Sequence, residues 1–205
     1  MDVWSRLFDL INSIGREVLI GVIVAGVLGI LAYFWRTLPR PDRKHKVLVY
    51  VSAGSTCRDP MAKAITEQLL IARRLKHPVD VYAVGLAPTE TEPTYAARET
   101  IKDMYHRDLL RDHKPAPLTA ELVKKADLIL VMDKRLYEAT EFTLPRAKTH
   151  ILKEFFGLHG DVVDPYWAVG ERDPQTLVRY RACADELKKL LSENMDTLLK
   201  ALGAV

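Results

Sequence analysis

Four short apolar segments, rich in β-branched residues, alternate along the chain with segments of helical periodicity. This alternation constrains the fold most strongly, because strands separated by helices form a parallel sheet that is covered on both faces. It predicts an α/β fold: a doubly wound four-stranded parallel sheet with helices on both faces, whose ligands bind at the carboxyl ends of the strands. The predicted strands are Val47 to Val51, Val79 to Val84, Asp127 to Met132 and Thr149 to Leu152. The predicted helices cover about 60–76, 93–106, 119–125, 134–141 and 174–201.

A second constraint is the uncharged run at residues 18–35, which ends in Tyr33, Phe34 and Trp35. Its eighteen residues are enough to span the hydrocarbon core of a bilayer. A buried core helix and a cleaved signal peptide are the alternatives, but bulky aromatic residues stand where a signal peptide has a small-residue cleavage site. The sequence therefore predicts that one transmembrane helix, at 17–35, precedes the α/β domain.

Basic residues are distributed unequally about this run. Only Arg6 and Arg16 precede it, whereas five basic residues follow it closely. The following residues are Arg36, Arg40, Arg43, Lys44 and Lys46. Because basic flanks stay on the cytoplasmic side, the sequence predicts a single-pass membrane protein whose globular domain faces the cytoplasm.

These features predict four segments along the chain. An amphipathic segment at 1–16, which would lie in the membrane interface or pack on a partner subunit, precedes the helix at 17–35. A basic juxtamembrane linker at 36–46 then leads into a globular domain at 47–205. Within the helix, Gly21, Ala25 and Gly29 form a ladder of small residues that permits close helix approach. A homo-oligomer through this ladder is one interpretation, although small residues are common in membrane helices generally.

Composition limits the kinds of ligand and partner that the domain is expected to bind. The formal net charge is only +3, and apart from the linker the basic residues are scattered, so the sequence predicts no nucleic-acid binding. Cys57 and Cys183 do not form a disulfide framework and fit a reducing compartment, with Cys183 in the core. The histidines show no paired spacing, which favours solvated or hydrogen-bonded side chains over metal ligands.

The loop after the first predicted strand is the strongest candidate site. It reads Ser52-Ala53-Gly54-Ser55-Thr56-Cys57-Arg58 and runs directly into a helix through Asp59 and Pro60. A loop of small residues at a helix N-terminus turns successive backbone N–H groups inward and forms a concavity for a phosphate-sized anion. The guanidinium of Arg58 suits two phosphate oxygens.

This loop resembles that of the low-molecular-weight protein tyrosine phosphatases, whose motif is C-x5-R-S-P. The resemblance extends over about 47–202. It includes Ala83-Val84-Gly85-Leu86, Leu118-Thr119, the run from Ala126 to Asp133, and Asp164-Pro165-Tyr166. It implies a hydrolase that acts on phosphate monoesters without a metal or organic cofactor, and its implied partners are phosphorylated proteins or small phosphate esters.

The resemblance also implies roles for individual residues. Ser52 occupies the nucleophile position, Arg58 is the clamp, and Asp164 is the general acid. Tyr166 and Trp167 would line the substrate cleft, where an aromatic ring can stack on phosphotyrosine. The implied phosphate-binding residues are Ala53, Gly54, Ser55, Thr56, Cys57 and Arg58.

Three residues of the loop depart from the family pattern. Ser52 replaces the cysteine, and because a helix terminus and an arginine cannot make an alcohol as acidic as a thiol, the sequence predicts little or no turnover. Asp59 stands where the family usually has serine, and Ser55 where it usually has asparagine. Asp59 is interpreted as the N-cap of the helix, with a direct catalytic role as the alternative.

Three functions therefore stay open. The chain is a phosphatase whose position 52 has been changed from cysteine to serine, a natural pseudophosphatase that binds phosphorylated partners, or an arsenate reductase. The reductase is disfavoured because Cys183, in the last predicted helix, is poorly placed for a disulfide relay. Asp164 favours a catalytic site over a binding module, because a carboxylic acid beside the leaving group does not help to bind a dianion.

Overall fold

The computed structural model describes residues 45–140, 143–166, 170 and 172–205, together with seven single residues near the amino terminus. Those seven residues are Trp4, Arg6, Asp9, Val18, Val24, Val27 and Leu28, which are all helical and exposed. By its internal contacts the chain divides into two compact units, Met1–Arg43 and Lys44–Val205.

Most of the predicted membrane-associated region, including Gly21, Ala25 and Gly29, lies outside the described residues. Within the part of the chain that the structure describes, no helix has both the length and the apolar character needed to cross a membrane. The amphipathic segment, the transmembrane helix, its orientation and the homo-oligomer therefore stay predictions.

The larger unit is an α/β fold. Its strands are β1 (Lys46–Ser52), β2 (Val79–Gly85), β3 (Leu128–Val131) and β4 (Thr149–Ile151). Its helices are α1 (Arg58–Ile71), α2 (Tyr95–Tyr105), α3 (Ala120–Lys125), α4 (Lys134–Ala139), α5 (Leu152–Phe155) and α6 (Pro174–Leu202). A 3-10 turn at Arg146–Lys148 leads into β4.

The four strands form one parallel sheet in the order β2-β1-β3-β4. From β1 the chain first crosses to β2 on one side and then returns to β3 on the other side. The carboxyl end of β1 is therefore the point where the strand order reverses, and open α/β sheets bind their ligands in the crevice at such a point. The predicted fold is confirmed, and the topology places the loop after Ser52 at this crevice.

Side chains of β1 alternate between the two faces of the sheet, as the two-residue period of a strand requires. Leu48 and Tyr50 enter the larger hydrophobic core, which includes buried residues of α1, α2 and α6. Val49 and Val51 enter a smaller core with Leu136 of α4. Because all four side chains are fully buried, β1 is the central strand and fixes the position of the loop that follows it.

The predicted elements differ from the observed ones mainly at their ends. Helix α1 ends at Ile71 rather than near residue 76, and the residues that follow it turn the chain into β2 at Val79. Helix α5 was not predicted, because its four residues were too few to show a helical period. Cys183 is buried in the larger core, as predicted.

Candidate active site

The loop at residues 53–57 is held against the end of β2 and the two residues that follow it. The carbonyl oxygens of Ser52 and Ala53 accept hydrogen bonds from the backbone of Leu86 and Ala87, at 3.0 and 2.9 Å. Gly85 lies so close that a Cβ atom there would stand 2.8 Å from the carbonyl oxygen of Ala53. The backbone at the end of β2 thus packs directly against the loop and fixes its position.

Ser55 gives the loop its curvature. Its φ angle is 56°, in the left-handed region, which costs a non-glycine residue about 1–2 kcal/mol. Its carbonyl oxygen accepts a hydrogen bond from Nε2 of His113 at 2.8 Å, and its backbone N–H donates to Oγ of Ser52 at 3.1 Å. These contacts hold Ser55 in a conformation that the chain would not adopt by itself.

The loop forms one wall of an open pocket with a volume of about 360 Å³. Among the residues lining it are Ser52, at the predicted nucleophile position, and five of the six predicted phosphate-binding residues, Ala53, Gly54, Thr56, Cys57 and Arg58. The sixth, Ser55, is fully buried and does not line the pocket. The other lining residues are Thr89, Glu90, Thr94, Asp164 and Tyr166. The structure therefore brings the predicted nucleophile position, clamp and general acid to one cavity.

Arg58 is the first residue of α1 and is only 3% exposed. One terminal nitrogen, Nη1, donates to Oδ2 of Asp133 at 2.7 Å and to the carbonyl oxygen of Val162 at 3.0 Å. The other, Nη2, donates to Oδ2 of Asp164 at 2.8 Å. Asp133 also caps α4, because its Oδ1 accepts from the backbone of Leu136. One side of the guanidinium is thus anchored by a carboxylate that the sheet and α4 hold in place.

Asp164 lies on the other side of that guanidinium, at the rim of the pocket. Its side chain is 49% exposed, and its Oδ1 accepts a hydrogen bond from the backbone of Tyr166 at 3.1 Å. Tyr166 is also exposed and lines the same pocket. Trp167 lies outside the described residues, so its predicted place in the cleft stays a prediction.

Asp59 is not a helix cap, so that interpretation was wrong. The N-cap residue of α1 is Cys57, and no side chain caps the helix end. Asp59 lies inside the first turn with no exposed surface, and its two oxygens accept hydrogen bonds from the hydroxyls of Ser52 and Ser55, each at 2.6 Å. Burial raises the pKa of Asp59 to about 7, although the two hydroxyls and Arg58 oppose the shift.

This raised pKa predicts a pH dependence of stability. Between pH 4 and pH 7 the folded chain holds a proton on Asp59 that the unfolded chain releases, so the free energy of unfolding falls as the pH rises through this window. A shift from 3.8 to about 7, at about 1.4 kcal/mol per unit, corresponds to about 4 kcal/mol. Urea denaturation of the chain and of Asp59→Asn across this range should show the difference, and parallel curves for the two proteins would contradict it.

Cys57 also lines the pocket, but its side chain is buried. Its Sγ lies 3.0 Å from the hydroxyl of Tyr180 and 3.7 Å from that of Thr94. Burial raises the pKa of the Cys57 thiol, with smaller opposing effects from its hydroxyl neighbours. Its thiol is therefore held in the neutral form and is not a substitute for the missing nucleophilic cysteine.

Sequence reasoning missed Thr89 and Glu90, which line the pocket, and also Asp133 and His113, which contact Arg58 and Ser55 from outside it. Asp133 could have been found, since it directly follows a predicted strand and strand ends meet at one edge of the sheet. His113, Thr89 and Glu90 lie in loops with no periodicity, and nothing in the sequence links them to the site. Within the described residues, no group of three or more His, Cys, Asp or Glu side chains could hold a metal ion.

The profile of low molecular weight phosphotyrosine protein phosphatases matches residues 47–203. With the sheet topology and the pocket at the end of β1, this match shows that the chain belongs to that family. It is similar to the protein-arginine-phosphatase of Bacillus subtilis, with 31% identity over 156 residues that cover 75% of this chain and 97% of the relative.

Two solved structures are similar over nearly their whole length. The low molecular weight protein tyrosine phosphatase from T. tengcongensis has a TM-score of 0.65 and 30% identity, covering 74% of this chain and 99% of that one. A mutant of the arginine phosphatase YwlE, in which serine replaces cysteine and the active-site serine is phosphorylated, has a TM-score of 0.63 and 33% identity. That similarity covers 75% of this chain and 95% of the mutant.

Proposed function

We propose that the chain is a phosphatase of phosphorylated protein side chains, in which residue 52 receives the phosphoryl group. The observation that carries this proposal is the 2.8 Å contact between Arg58 and Asp164 at the rim of a pocket walled by the loop after β1. It puts a cation that can bind phosphate beside a carboxyl group that can protonate a leaving oxygen.

Each residue then has a definite part in the reaction. When substrate binds, Nη2 of Arg58 donates hydrogen bonds to the phosphate oxygens instead of to Oδ2 of Asp164. The Oδ2 atom is then free to face the leaving group. Asp133 and the carbonyl oxygen of Val162 keep Nη1 in place during this exchange. Asp164 gives a proton to the departing oxygen, and the N-terminal end of α1 stabilises the negative charge on the phosphoryl oxygens.

Ser52 makes this site slower than a cysteine site. A thiol becomes a thiolate at a helix N-terminus, whereas a hydroxyl must lose its proton during the attack. We therefore expect the chain to hydrolyse aryl phosphates much more slowly than a Ser52→Cys/Asp59→Ser variant, which has the thiol and the serine of the family motif. The phosphorylated serine of the YwlE mutant supports the view that a serine in such a site can hold the phosphoryl group.

The substrate is phosphotyrosine in this proposal, supported by the family and by the exposed ring of Tyr166 at the pocket. A phosphorylated arginine is a second candidate. The carboxylate of Glu90, which lines the pocket, can bind its guanidinium group, and the B. subtilis relative is a protein-arginine-phosphatase. Hydrolysis of paired peptides that carry one or the other modification separates the two substrates.

Replacing Asp164 by asparagine tests the acid role. Loss of the proton donor should lower kcat by about 10²–10⁴-fold for phenyl phosphate, whose leaving group needs a proton. The effect should be much smaller for p-nitrophenyl phosphate, whose leaving group departs without one. The measurements are made in the Ser52→Cys/Asp59→Ser background, where the rate is higher. Asp103→Asn is the matched control, because it removes the carboxylate of an exposed ion pair with Arg181. An equal loss for both esters would contradict the acid role.

We also propose that residues 18–35 anchor the chain in a membrane with the globular domain on the cytoplasmic side. The support is the eighteen-residue uncharged run and the basic residues that follow it. Carbonate extraction of membranes containing the full chain, compared with a chain lacking 1–43, tests the anchor. Release of the full chain into the supernatant would rule it out.

A further inference from the structure

The side chain of Asp59 is enclosed by the two hydroxyl groups that distinguish this loop from the family motif. The exposed fractions of Ser52, Ser55 and Asp59 are 4%, 0% and 0%. The hydroxyl of Ser52 donates its only proton to Oδ1 of Asp59, while Oδ2 accepts the proton of the Ser55 hydroxyl. The Oγ of Ser52 also accepts a hydrogen bond from the backbone N–H of Ser55.

We propose that Asp59 is the general base of this site: it takes the proton of Ser52 as the serine oxygen attacks phosphorus. The proposal rests on the proposed phosphatase function and adds a catalytic residue that the cysteine motif does not need. Its basis is geometric, since the hydroxyl already points at the carboxylate over 2.6 Å and no other side-chain acceptor contacts it among the described residues.

In the first step a bond forms between Oγ of Ser52 and phosphorus, and the bond from phosphorus to the leaving oxygen breaks. The proton of Ser52 moves to Oδ1 of Asp59, and the proton of Asp164 moves to the leaving oxygen. The products are phosphoserine at position 52, the free alcohol, a protonated Asp59 and an ionised Asp164.

The second step reverses these proton transfers. Water attacks phosphorus and gives one proton to Asp164, the bond from phosphorus to Oγ of Ser52 breaks, and Asp59 returns its proton to Oγ. A thiolate leaves without a proton, but a serine oxygen does not, so an acid beside residue 52 is needed only when that residue is serine. A single group can serve both steps because it is protonated in one and ionised in the other.

The pairing of Asp59 with Ser52 also bears on the origin of the serine. A carboxylate at hydrogen-bond distance would oppose the formation of a thiolate at position 52, because two negative charges would share one buried site. A hydroxyl, by contrast, donates to that carboxylate. Asp59 therefore fits an oxygen nucleophile, which favours a native serine over an isolated exchange of cysteine for serine.

Among the described residues, the titratable groups closest to Asp59 are Arg58 and His113. Arg58, its neighbour in α1, favours the ionised form. His113 reaches the cluster from the segment before α3, with Nε2 3.4 Å from the hydroxyl of Ser55 and 2.8 Å from the carbonyl oxygen of Ser55. Burial lowers the pKa of His113, which favours its neutral ring.

The test is to measure formation of phosphoserine at position 52. The full chain, Asp59→Asn, Ser52→Ala and the control Asp103→Asn are mixed with p-nitrophenyl phosphate, quenched in acid and analysed by mass spectrometry of the peptide containing residue 52. We expect the full chain and the control to acquire one phosphoryl group and Ser52→Ala to acquire none. Asp59→Asn should form it at least about 100-fold more slowly. Equal rates for Asp59→Asn and the full chain would overturn the proposal.

Two further measurements separate this proposal from the phosphatase function. Binding of inorganic phosphate should be retained or strengthened in Asp59→Asn, because the substitution removes a negative charge near the site. Ser52→Cys/Asp59→Ser should hydrolyse the ester. If this variant is active but the full chain never phosphorylates Ser52, only the role of Asp59 fails; if neither binds phosphate nor reacts, the phosphatase function itself fails.

The pH dependence of Ser52 phosphorylation tests the proposal on the unaltered chain, so it does not depend on whether variants of Ser52 or Asp59 fold. The rate of Ser52 phosphorylation in the full chain should rise as Asp59 loses its proton, with p-nitrophenyl phosphate chosen so that protonation of the leaving group has little weight. A rate that does not rise across the titration of Asp59 would overturn the proposal even if Asp59→Asn were unfolded.

Discussion

Arg58→Met is expected to weaken binding of inorganic phosphate by at least about 100-fold and to reduce ester hydrolysis by about 10³-fold or more. The substitution retains the apolar stem of the side chain and removes the charge and the donors that face the pocket. Isothermal titration with phosphate and steady-state hydrolysis measure the two effects. A variant that binds phosphate as the unaltered chain does would remove Arg58 from the site.

Arg58→Met should also reduce stability. The carboxylate of Asp133 is only 14% exposed and would lose its cation, which costs about 1.5–3 kcal/mol for a hydrogen bond to a charged group. Asp164 is half exposed, so water replaces its contact at little cost. Arg98→Met is the matched control, because it breaks the pair with Asp108 outside the pocket, and it should leave phosphate binding unchanged.

Gly85→Ala is expected to lower kcat by about 10²-fold although residue 85 does not line the pocket. The added Cβ would meet the carbonyl oxygen of Ala53 at 2.8 Å, the carbonyl carbon of Gly54 at 2.9 Å and the amide nitrogen of Ser55 at 3.0 Å. Real Cβ atoms do not approach backbone atoms so closely, so the loop must shift. Overpacking of this kind costs about 1–3 kcal/mol of stability.

A control must separate loop displacement from a general loss of stability. Gly203→Ala serves this purpose, because φ at Gly203 is +63° and an alanine there is strained by about 1–2 kcal/mol. A Cβ atom at residue 203 would lie 3.5 Å from Nζ of Lys46, at the amino-terminal end of β1, opposite the loop. Activity at 20 °C should fall in Gly85→Ala and persist in Gly203→Ala, whereas similar activities in the two variants would contradict the supporting role of Gly85.

Most of the fold could be predicted because it follows from local patterns. Alternate burial along β1 and the apolar stripe of α6 are visible as periods of two and about 3.6 residues. The ends of elements were harder, because periodicity does not show where a helix stops before the chain turns into the next strand. The four-residue helix α5 was missed because so short a segment shows no period.

The site was predictable to the extent that it is contiguous. Ser52 to Arg58 form one loop, and the resemblance supplied Asp164 and Tyr166. The hydrogen-bond partners of these residues could not be read in the same way. Asp59 was misassigned because a carboxylate before proline at a helix start fits a cap just as well, and only the packing around it shows that both oxygens face hydroxyl groups.

The sequence by itself determined the layered α/β architecture, the loop at the end of the first strand and the membership of the phosphatase family. These depend on residues that are neighbours in the chain, whose periodicity and turn preferences act locally. The tertiary structure decided which groups meet: Arg58 joins Asp164 across 106 residues and Asp133 across 75 residues, and Asp59 turns back towards Ser52. Contacts of this kind depend on how the strand ends and loops pack together, because burial fixes which charges and hydroxyl groups must satisfy one another.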